Sequence, residues 1–359
     1  MSKEFDFLVF IGRFQPFHLG HRHVVAQALE RSERVIVLVG SANLARSVRN
    51  PFTFAEREQM IRATFRKPVA EGRLIIRPLD DVSYNDSAWI ALVQKTVDRL
   101  VLETGNQGGI ALHGTADFRI GLVGLGRDRS SYYLKLFPEW GHVDISGEYG
   151  AFTATQIRAD LLRSAPLLPR DSCPPEVVEF LSEFRLKDAF SSLVREAAFV
   201  ADYKARWASA PFAPTFVTVD AVTVQAGHVL LVRRGRQPGE GRLALPGGFV
   251  GEDETLRDAV IRELREETHI ADGKGPIPPA MLGSFIEDAE TRVFDEPHRS
   301  ARGRTITHAF LFRCPQREAL FQVRGGDDAA SAAWYRLGEL EPEDFFEDHW
   351  FILQAMVGL

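Results

Sequence analysis

Phe7-Leu8-Val9-Phe10-Ile11 runs straight into Gly12-Arg13-Phe14-Gln15-Pro16-Phe17-His18-Leu19-Gly20-His21. Five successive aromatic, β-branched and aliphatic side chains stopped by a glycine predict a strand buried on both faces. Residues 22–31 then predict a helix, so the loop between delivers a helix N-terminus and free backbone N–H groups to one place. Such a place attracts phosphate. His18 and His21 can both donate to phosphate oxygens there, and Gly20 lets the backbone come close. A surface loop with two unrelated histidines is the competing reading. A strand directly before the motif and a helix directly after it argue against that.

Working outward, residues 35–39 and 74–78 predict further buried strands, and residues 55–65 and 89–102 predict helices. Alternation of this kind, with short connections, predicts a parallel sheet covered by helices on both faces. Prolines cluster over residues 166–175 and again over 210–214, and proline disfavours the helical conformation in the residue before it. Between the clusters, residues 176–207 predict one long helical stretch with a partly apolar face. Beyond it the pattern changes. Strands at 216–224 and 229–232 lead to Leu245-Pro246-Gly247-Gly248, then comes one strong helix over 254–268, then strands near 307–313 and 332–336. That is an α+β pattern. The reading is three segments: a domain over 1–184, a helical connector over 185–210 and a second domain over 211–359.

The second domain carries its acids in a definite register. Glu263, Glu266 and Glu267 fall at i, i+3 and i+4, on one face of the helix. Like charges so placed destabilise a helix by about 0.2–0.5 kcal/mol per pair. Acids gathered at that expense suit hard divalent cations, which prefer carboxylate oxygens. A solvated face salted by Arg257, Arg262 and Arg265 is the plainer alternative.

Composition narrows the class. With 359 residues, 45% hydrophobic and 26% charged, the chain reads as a soluble two-domain protein rather than a disordered or fibrous one. A net charge of −6 gives no global attraction for nucleic acid, so a polyanion has to meet a local cluster of positive groups. Cys173 and Cys314 lack CxxC spacing, which disfavours a disulfide framework or thiolate zinc site and suits a reducing cytoplasm. The N-terminus has acids before its first apolar run, unlike a signal peptide, and no stretch has the length to span a bilayer. Oligomeric state is not written in these features.

The loop ending in His18-Leu19-Gly20-His21 resembles the HxGH signature of the nucleotidyltransferase superfamily, and is most similar to archaeal-type nicotinamide mononucleotide (NMN) adenylyltransferases. Asn50-Pro51-Phe52-Thr53 before Glu56-Arg57, and Asn85 followed by Trp89, extend the match. Phe152-Thr153-Ala154-Thr155-Gln156-Ile157-Arg158 resembles the family's second phosphate motif, ISxTxxR, with Thr153 in place of serine. The resemblance implies transfer of AMP from ATP to NMN, giving NAD and pyrophosphate, with Mg²⁺. His18, His21 and Arg158 would be catalytic. Gly12, Arg13, Phe14, Gly20, Asn50, Asn85, Trp89, Thr153 and Thr155 would bind substrate, Thr155 capping a helix start and Trp89 stacking on the nicotinamide.

Gly248 to Ile270 resembles the Nudix box, Gx5Ex7REUxEExGU, at every position except the last glycine, where His269 stands. The resemblance implies an α/β nucleotidyltransferase domain with a Rossmann-like parallel sheet, followed by an α+β Nudix-fold domain. It also implies that Glu263, Glu266 and Glu267 hold Mg²⁺, or Mn²⁺, and that Arg262 orients a glutamate. Residues 294–307 resemble a segment of Nudix proteins that handle ADP-ribose, with Arg299, Arg302 and Arg304 as substrate-binding groups. Asp327 and Asp328 lie in a late loop where some Nudix enzymes place a further acid. Together the halves resemble bacterial bifunctional NMN adenylyltransferase/Nudix hydrolases, which suggests cytoplasmic NAD metabolism. Two alternatives stay open: another adenylyl acceptor, such as pantetheine phosphate or flavin mononucleotide, and a second domain that senses ADP-ribose without cleaving it. The short stretch after Trp350 leaves no expected room for a DNA-binding module, and no basic recognition helix is evident.

Overall fold

The computed structural model describes residues 3–105, 118–124, 133, 135–145, 153–163 and 167–359. Phe152, which opens the second phosphate motif, and Pro166 lie outside the described residues. Two compact units divide at Val194 and Arg195, inside the expected connector.

The first unit follows the strand–helix alternation. Its elements are β1 (Phe5–Gly12), α1 (Leu19–Arg31), β2 (Ser32–Val39), α2 (Phe54–Thr64), α3 (Arg66–Ala70), β3 (Leu74–Pro78), α4 (Asp86–Gly105), β4 (Ile120–Gly124), β5 (Gly141–Asp144), α5 (Ala154–Leu161) and α6 (Pro175–Phe184). The sheet runs β3-β2-β1-β4-β5, every pair parallel. Strand order reverses at β1, so the chain leaves β1 at the topological switch point, where open α/β sheets bind ligands. Phe7, Val9 and Ile11 join one core with Ile36, Leu38 and Leu122, packed under Val93, Val97 and Leu100 of α4.

The expected single helix over 176–207 is two helices, α6 and α7 (Asp188–Ala205). Residues 185–187 carry no proline or glycine, so the apolar periodicity passes through the break unmarked. Buried Phe184 packs at the end of α6 against Phe52, Phe180 and Phe190.

The second unit contains β6 (Thr215–Gln225), β7 (His228–Arg234), β8 (Leu243–Ala244), β9 (Gly247–Phe249), α8 (Leu256–Thr268), β10 (Ala271–Asp272), β11 (Gly275–Pro276), α9 (Pro279–Gly283), β12 (Arg292–Phe294), β13 (Arg304–Arg313), β14 (Ala329–Arg336) and α10 (His349–Val357). The mixed sheet runs β12-β13-β6-β7-β14, with β8 beside β7 and β9 beside β6, and β13 pairs β6 in parallel. Side chains alternate across it as a pleat requires. Val219, Ala221, Leu230, Phe310 and Phe312 pack against Val260 and Leu264 of α8. Val222, Val229, Leu231 and Leu311 pack on the other face against Ile352, Leu353 and Met356 of α10.

Helix α8 starts later than the expected residue 254. Thr255 is its N-cap, accepting from the Asp258 N–H, so Glu254 lies in the loop before it. Among the described residues no helix is long and apolar enough to cross a membrane.

Candidate active sites

The first site is assembled at the ends of β1 and β2. Phe14 adopts a left-handed backbone with φ 51°, and its ring lies back over Gly12. A Cβ on Gly12 would stand 2.9 Å from Phe14 Cζ, so only glycine fits there. Phe10, Phe14 and Phe17 then surround the His21 ring, Phe14 edge-on at 4.9 Å. His18 is the residue before α1, and its backbone N–H donates to His21 Nδ1 at 3.3 Å. That bond assigns the His21 proton to Nε2. The two imidazoles stack with centroids 3.6 Å apart. Gly20 serves this stack, since a Cβ there would come within 3.1 Å of the His18 ring. Burial, then the nearby Arg158, pushes His18 down to about 4. Burial, then His18 itself, holds His21 well below the usual histidine range. Both rings are therefore neutral hydrogen-bond donors near pH 7.

Around the histidines stand guanidinium groups that repel one another. Arg13 is lowered by burial and by Arg49, against the opposing pull of Asp81. Arg158 falls to about 10 through burial, Arg13 and Arg49. Like charges held together in a half-buried place form a site for a polyanion. Backbone clamps hold the arrangement. Arg158 donates to the Gln15 carbonyl at 2.8 Å, and Gln15 pairs through its side chain with both N–H and carbonyl of Phe52, each at 2.9 Å. Buried Arg57 donates to the carbonyls of Arg13, Gly40 and Ser41 at 2.8, 2.6 and 3.0 Å. The Asn50–Thr53 segment is thereby fastened to the histidine loop, and Asn50 Oδ1 is buried with no hydrogen-bond partner among the described residues.

One expected role changes. Thr153, not Thr155, is the N-cap of α5, accepting from the Gln156 N–H at 3.2 Å. Thr155 lies one residue into the helix, where its hydroxyl accepts from Arg158 at 3.2 Å. Asn85 caps α4 through the Ala88 N–H at 3.0 Å. Trp89, in the next turn, is half-buried against the core and 6.4 Å from the Phe137 ring. Arg49 was not anticipated, although it directly precedes Asn50-Pro51. Nor was the clamping by Gln15 and Arg57, because a motif shows which residues recur and not which carbonyl they hold.

The second site centres on Arg262. Its guanidinium donates to Glu254 at 2.7 and 3.0 Å, to Glu263 at 2.8 Å, to Glu266 at 3.1 Å and to the Phe249 carbonyl at 3.1 Å. It therefore orients glutamates, as expected. Glu263 and Glu267 are buried and Glu266 is exposed. Burial, then the neighbouring Glu263 and Asp220, outweighs Arg234 and a 3.1 Å bond from the Gly247 N–H, pushing Glu267 up to about 8. Glu263 is also raised, by burial first. The glycines before the helix have steric reasons. A Cβ on Gly248 would stand 2.4 Å from Glu263 Oε1, and one on Gly247 would stand 2.7 Å from Asp220 Oδ1. Among the described residues no three metal-ligating side chains are gathered into a preformed cluster. With Glu263 and Glu266 folded onto Arg262, the three carboxylates still form an oxygen donor set on one helix face. Burial raises Glu263 and Glu267, so the chain alone disfavours their anionic forms, which a divalent cation would favour.

The three arginines expected to meet substrate are placed differently from one another. Arg299 is buried in a two-point ion pair with Asp348, at 2.9 Å for each bond, and so ties its segment to the start of α10. Arg304 donates to the Asp295 carbonyl and lies 3.5 Å from its carboxylate. Arg302 carries its guanidinium over the Phe249 ring at 5.2 Å. Arg234, which sequence reasoning missed inside a strand, is lowered by burial and Arg302 and opposed by Glu347, Glu267 and Asp328. Asp328 pairs with Arg236 at 2.8 Å.

Comparison with known proteins finds a match in each half of the chain. Residues 214–356 match the NUDIX domain model, and residues 9–76 match the cytidylyltransferase-like model. A nicotinamide/nicotinic acid mononucleotide adenylyltransferase from Acinetobacter baylyi is 34% identical over 190 residues, covering 53% of this chain and 92% of that protein. A nicotinamide-nucleotide adenylyltransferase from Pyrococcus horikoshii is 28% identical over 49% of this chain and 83% of its own length. A crystal structure of a bifunctional NMN adenylyltransferase/ADP ribose pyrophosphatase from Francisella tularensis, complexed with AMP and a manganese ion, superposes with a TM-score of 0.87. It is 34% identical, and the match covers 99% of each chain. Relatives and structural likeness agree, and the chain belongs to the family of bifunctional NMN adenylyltransferase/ADP-ribose pyrophosphatases.

Proposed function

We propose that the first site transfers the adenylyl group of ATP to NMN and that the second hydrolyses ADP-ribose to AMP and ribose 5-phosphate. For the first reaction the convergence of Arg13, Arg49 and Arg158 on two stacked neutral histidines carries the reading. An oxygen of the NMN 5′-phosphate attacks the α-phosphorus of ATP, the new P–O bond forms, and pyrophosphate leaves with the electron pair of the broken bond. No protein nucleophile is needed, so the chain contributes position and charge. Arg13, Arg49 and Arg158 hold the triphosphate. His18 and His21 donate to the reacting phosphate, and the buried acceptor of Asn50 receives a donor from substrate.

At the second site Glu263, Glu266 and Glu267 would hold divalent cations, Mg²⁺ or Mn²⁺. Bound cations polarise a diphosphate and lower the pKa of water. Arg262 keeps Glu254, Glu263 and Glu266 in register. Intact box acids favour hydrolysis over a purely sensing role. Product analysis with NMN plus ATP, and separately with ADP-ribose, tests the pair of assignments.

Three outcomes follow at these sites. An indole stacked on the cationic nicotinamide is worth about 0.5–2 kcal/mol. Trp89→Ala should raise KM for NMN well above any change in KM for ATP, and equal changes would assign Trp89 to the core alone. Burial disfavours the protonated His18 ring, so it stays neutral as the pH falls until about 4. The kcat/KM profile of adenylyl transfer should lack a limb near the ordinary histidine value of about 6.5. A limb centred there and removed by His18→Asn would contradict that.

The third concerns product survival, because NAD contains the same diphosphate link as ADP-ribose. Arg302, with its guanidinium over the Phe249 ring, would repel a cationic nicotinamide and tolerate a bare ribose. His21→Ala protein should cleave ADP-ribose far faster than NAD. Comparable rates would remove both the substrate assignment and the role of Arg302.

A further inference from the structure

The Nudix box of this chain departs from its pattern where a glycine would close the helix, at His269. His269 keeps the backbone of a glycine, with φ 43° and ψ 38°, and its N–H donates to the Arg265 carbonyl at 3.0 Å. A side chain is disfavoured in that left-handed conformation, so relaxation alone would favour glycine. The structural counterpart of the departure is Gly326. A Cβ on Gly326 would stand 1.9 Å from His269 Cε1, 2.3 Å from its Nδ1 and 2.4 Å from the Glu266 carbonyl oxygen. The imidazole thus occupies volume that only a glycine at 326 leaves open.

The segment so covered is fastened to the end of α8. The Arg324 N–H donates to the Thr268 carbonyl at 2.8 Å, and the Gly326 N–H to the Glu267 carbonyl at 3.1 Å. On its far side, the Asp328 carbonyl accepts from the Gly235 N–H at 2.9 Å, and the Asp328 carboxylate pairs with Arg236. Between these anchors Asp327 is itself left-handed, with φ 48°.

We propose that His269 is a positioning residue for the hydrolase: its ring, seated on Gly326, fixes the 325–328 turn, and Asp327 within it, against the end of α8 that carries Glu266 and Glu267. The inference rests on reading the second site as an ADP-ribose hydrolase. It separates stability from activity, because glycine at 269 suits the backbone better and yet leaves the turn uncovered.

The test compares wild-type protein, His269→Gly, Asp327→Asn and the double variant, each with Mg²⁺ or Mn²⁺ and ADP-ribose. His269→Gly should keep or raise the thermal midpoint, speed amide exchange over residues 325–328, and lower kcat by about tenfold or more with KM nearly unchanged, since small misplacements near the chemistry have such effects. Asp327→Asn should also lower kcat, and the double variant should be no slower than Asp327→Asn alone, because both changes act on one group. Wild-type kcat and exchange in His269→Gly, or losses that multiply in the double variant, would overturn the proposal. Wild-type protein that leaves ADP-ribose intact would instead overturn the reading of the site itself.

Discussion

His21→Ala protein should make NAD about 10²–10⁴-fold more slowly than wild type, the usual range for removing a positioned donor from a transition state, while hydrolysing ADP-ribose at the wild-type rate. The His21 ring does two things at once. Its Nδ1 accepts the His18 N–H, which fixes the start of α1. The same bond leaves Nε2–H as the donor, in a ring pressed between His18 and three phenylalanines. Alanine removes the donor and loosens the loop that carries its neighbour. His21→Asn, which keeps a polar group of smaller reach, separates these effects, since it should recover order in the loop without recovering the rate. Unchanged hydrolysis is the internal control that the second unit is intact. Loss of both activities in folded protein would defeat the two-site account.

Glu267→Gln should do the reverse, lowering ADP-ribose hydrolysis by about 10²–10⁴-fold and leaving NAD synthesis intact. Glutamine has the same shape and its amide oxygen can still accept the Gly247 N–H. Burial and the acids Glu263 and Asp220 hold the Glu267 carboxyl near 8, so without a cation it is largely protonated at neutral pH. The substitution imitates that neutral state and takes away the charge a cation would meet. The thermal midpoint without metal should therefore stay level or rise, whereas the stabilisation that Mg²⁺ or Mn²⁺ gives the wild type should shrink. A variant that hydrolyses at the wild-type rate would show that the helix acids serve the fold and not the reaction.

How much of this was written in the sequence depends on the kind of interaction. Strand β1 and helix α8 were legible because burial imposes a period, and the acids at 263, 266 and 267 because helical spacing places them together. Strands β4 and β5 were not foreseen. Ile120-Gly121-Leu122-Val123-Gly124 is short and broken by glycine, and Gly141–Asp144 has a single buried side chain, Val143. The break between α6 and α7 was invisible for want of a proline or glycine. At the sites, residues that touch one another within a motif were readable, whereas pairings made across the fold were not. Arg299 reads as a substrate arginine, and its two-point partner Asp348 lies too far along the chain for a local motif to show. Arg57 and Gln15 act on backbone carbonyls and amides, which carry no sequence signal. The hydroxyl cap moved from Thr155 to Thr153 because helix starts are fixed by local backbone geometry to within a residue or two.

The central claim is that one chain builds NAD at one site and opens ADP-ribose at the other. Its most direct measurement is the product profile of wild-type protein, supplied in separate reactions with NMN plus ATP and with ADP-ribose, each with Mg²⁺ and resolved by chromatography. The account predicts NAD and pyrophosphate that accumulate in the first reaction, and AMP with ribose 5-phosphate in the second. Absence of NAD, or ADP-ribose left uncleaved with Mg²⁺ and again with Mn²⁺, would contradict it.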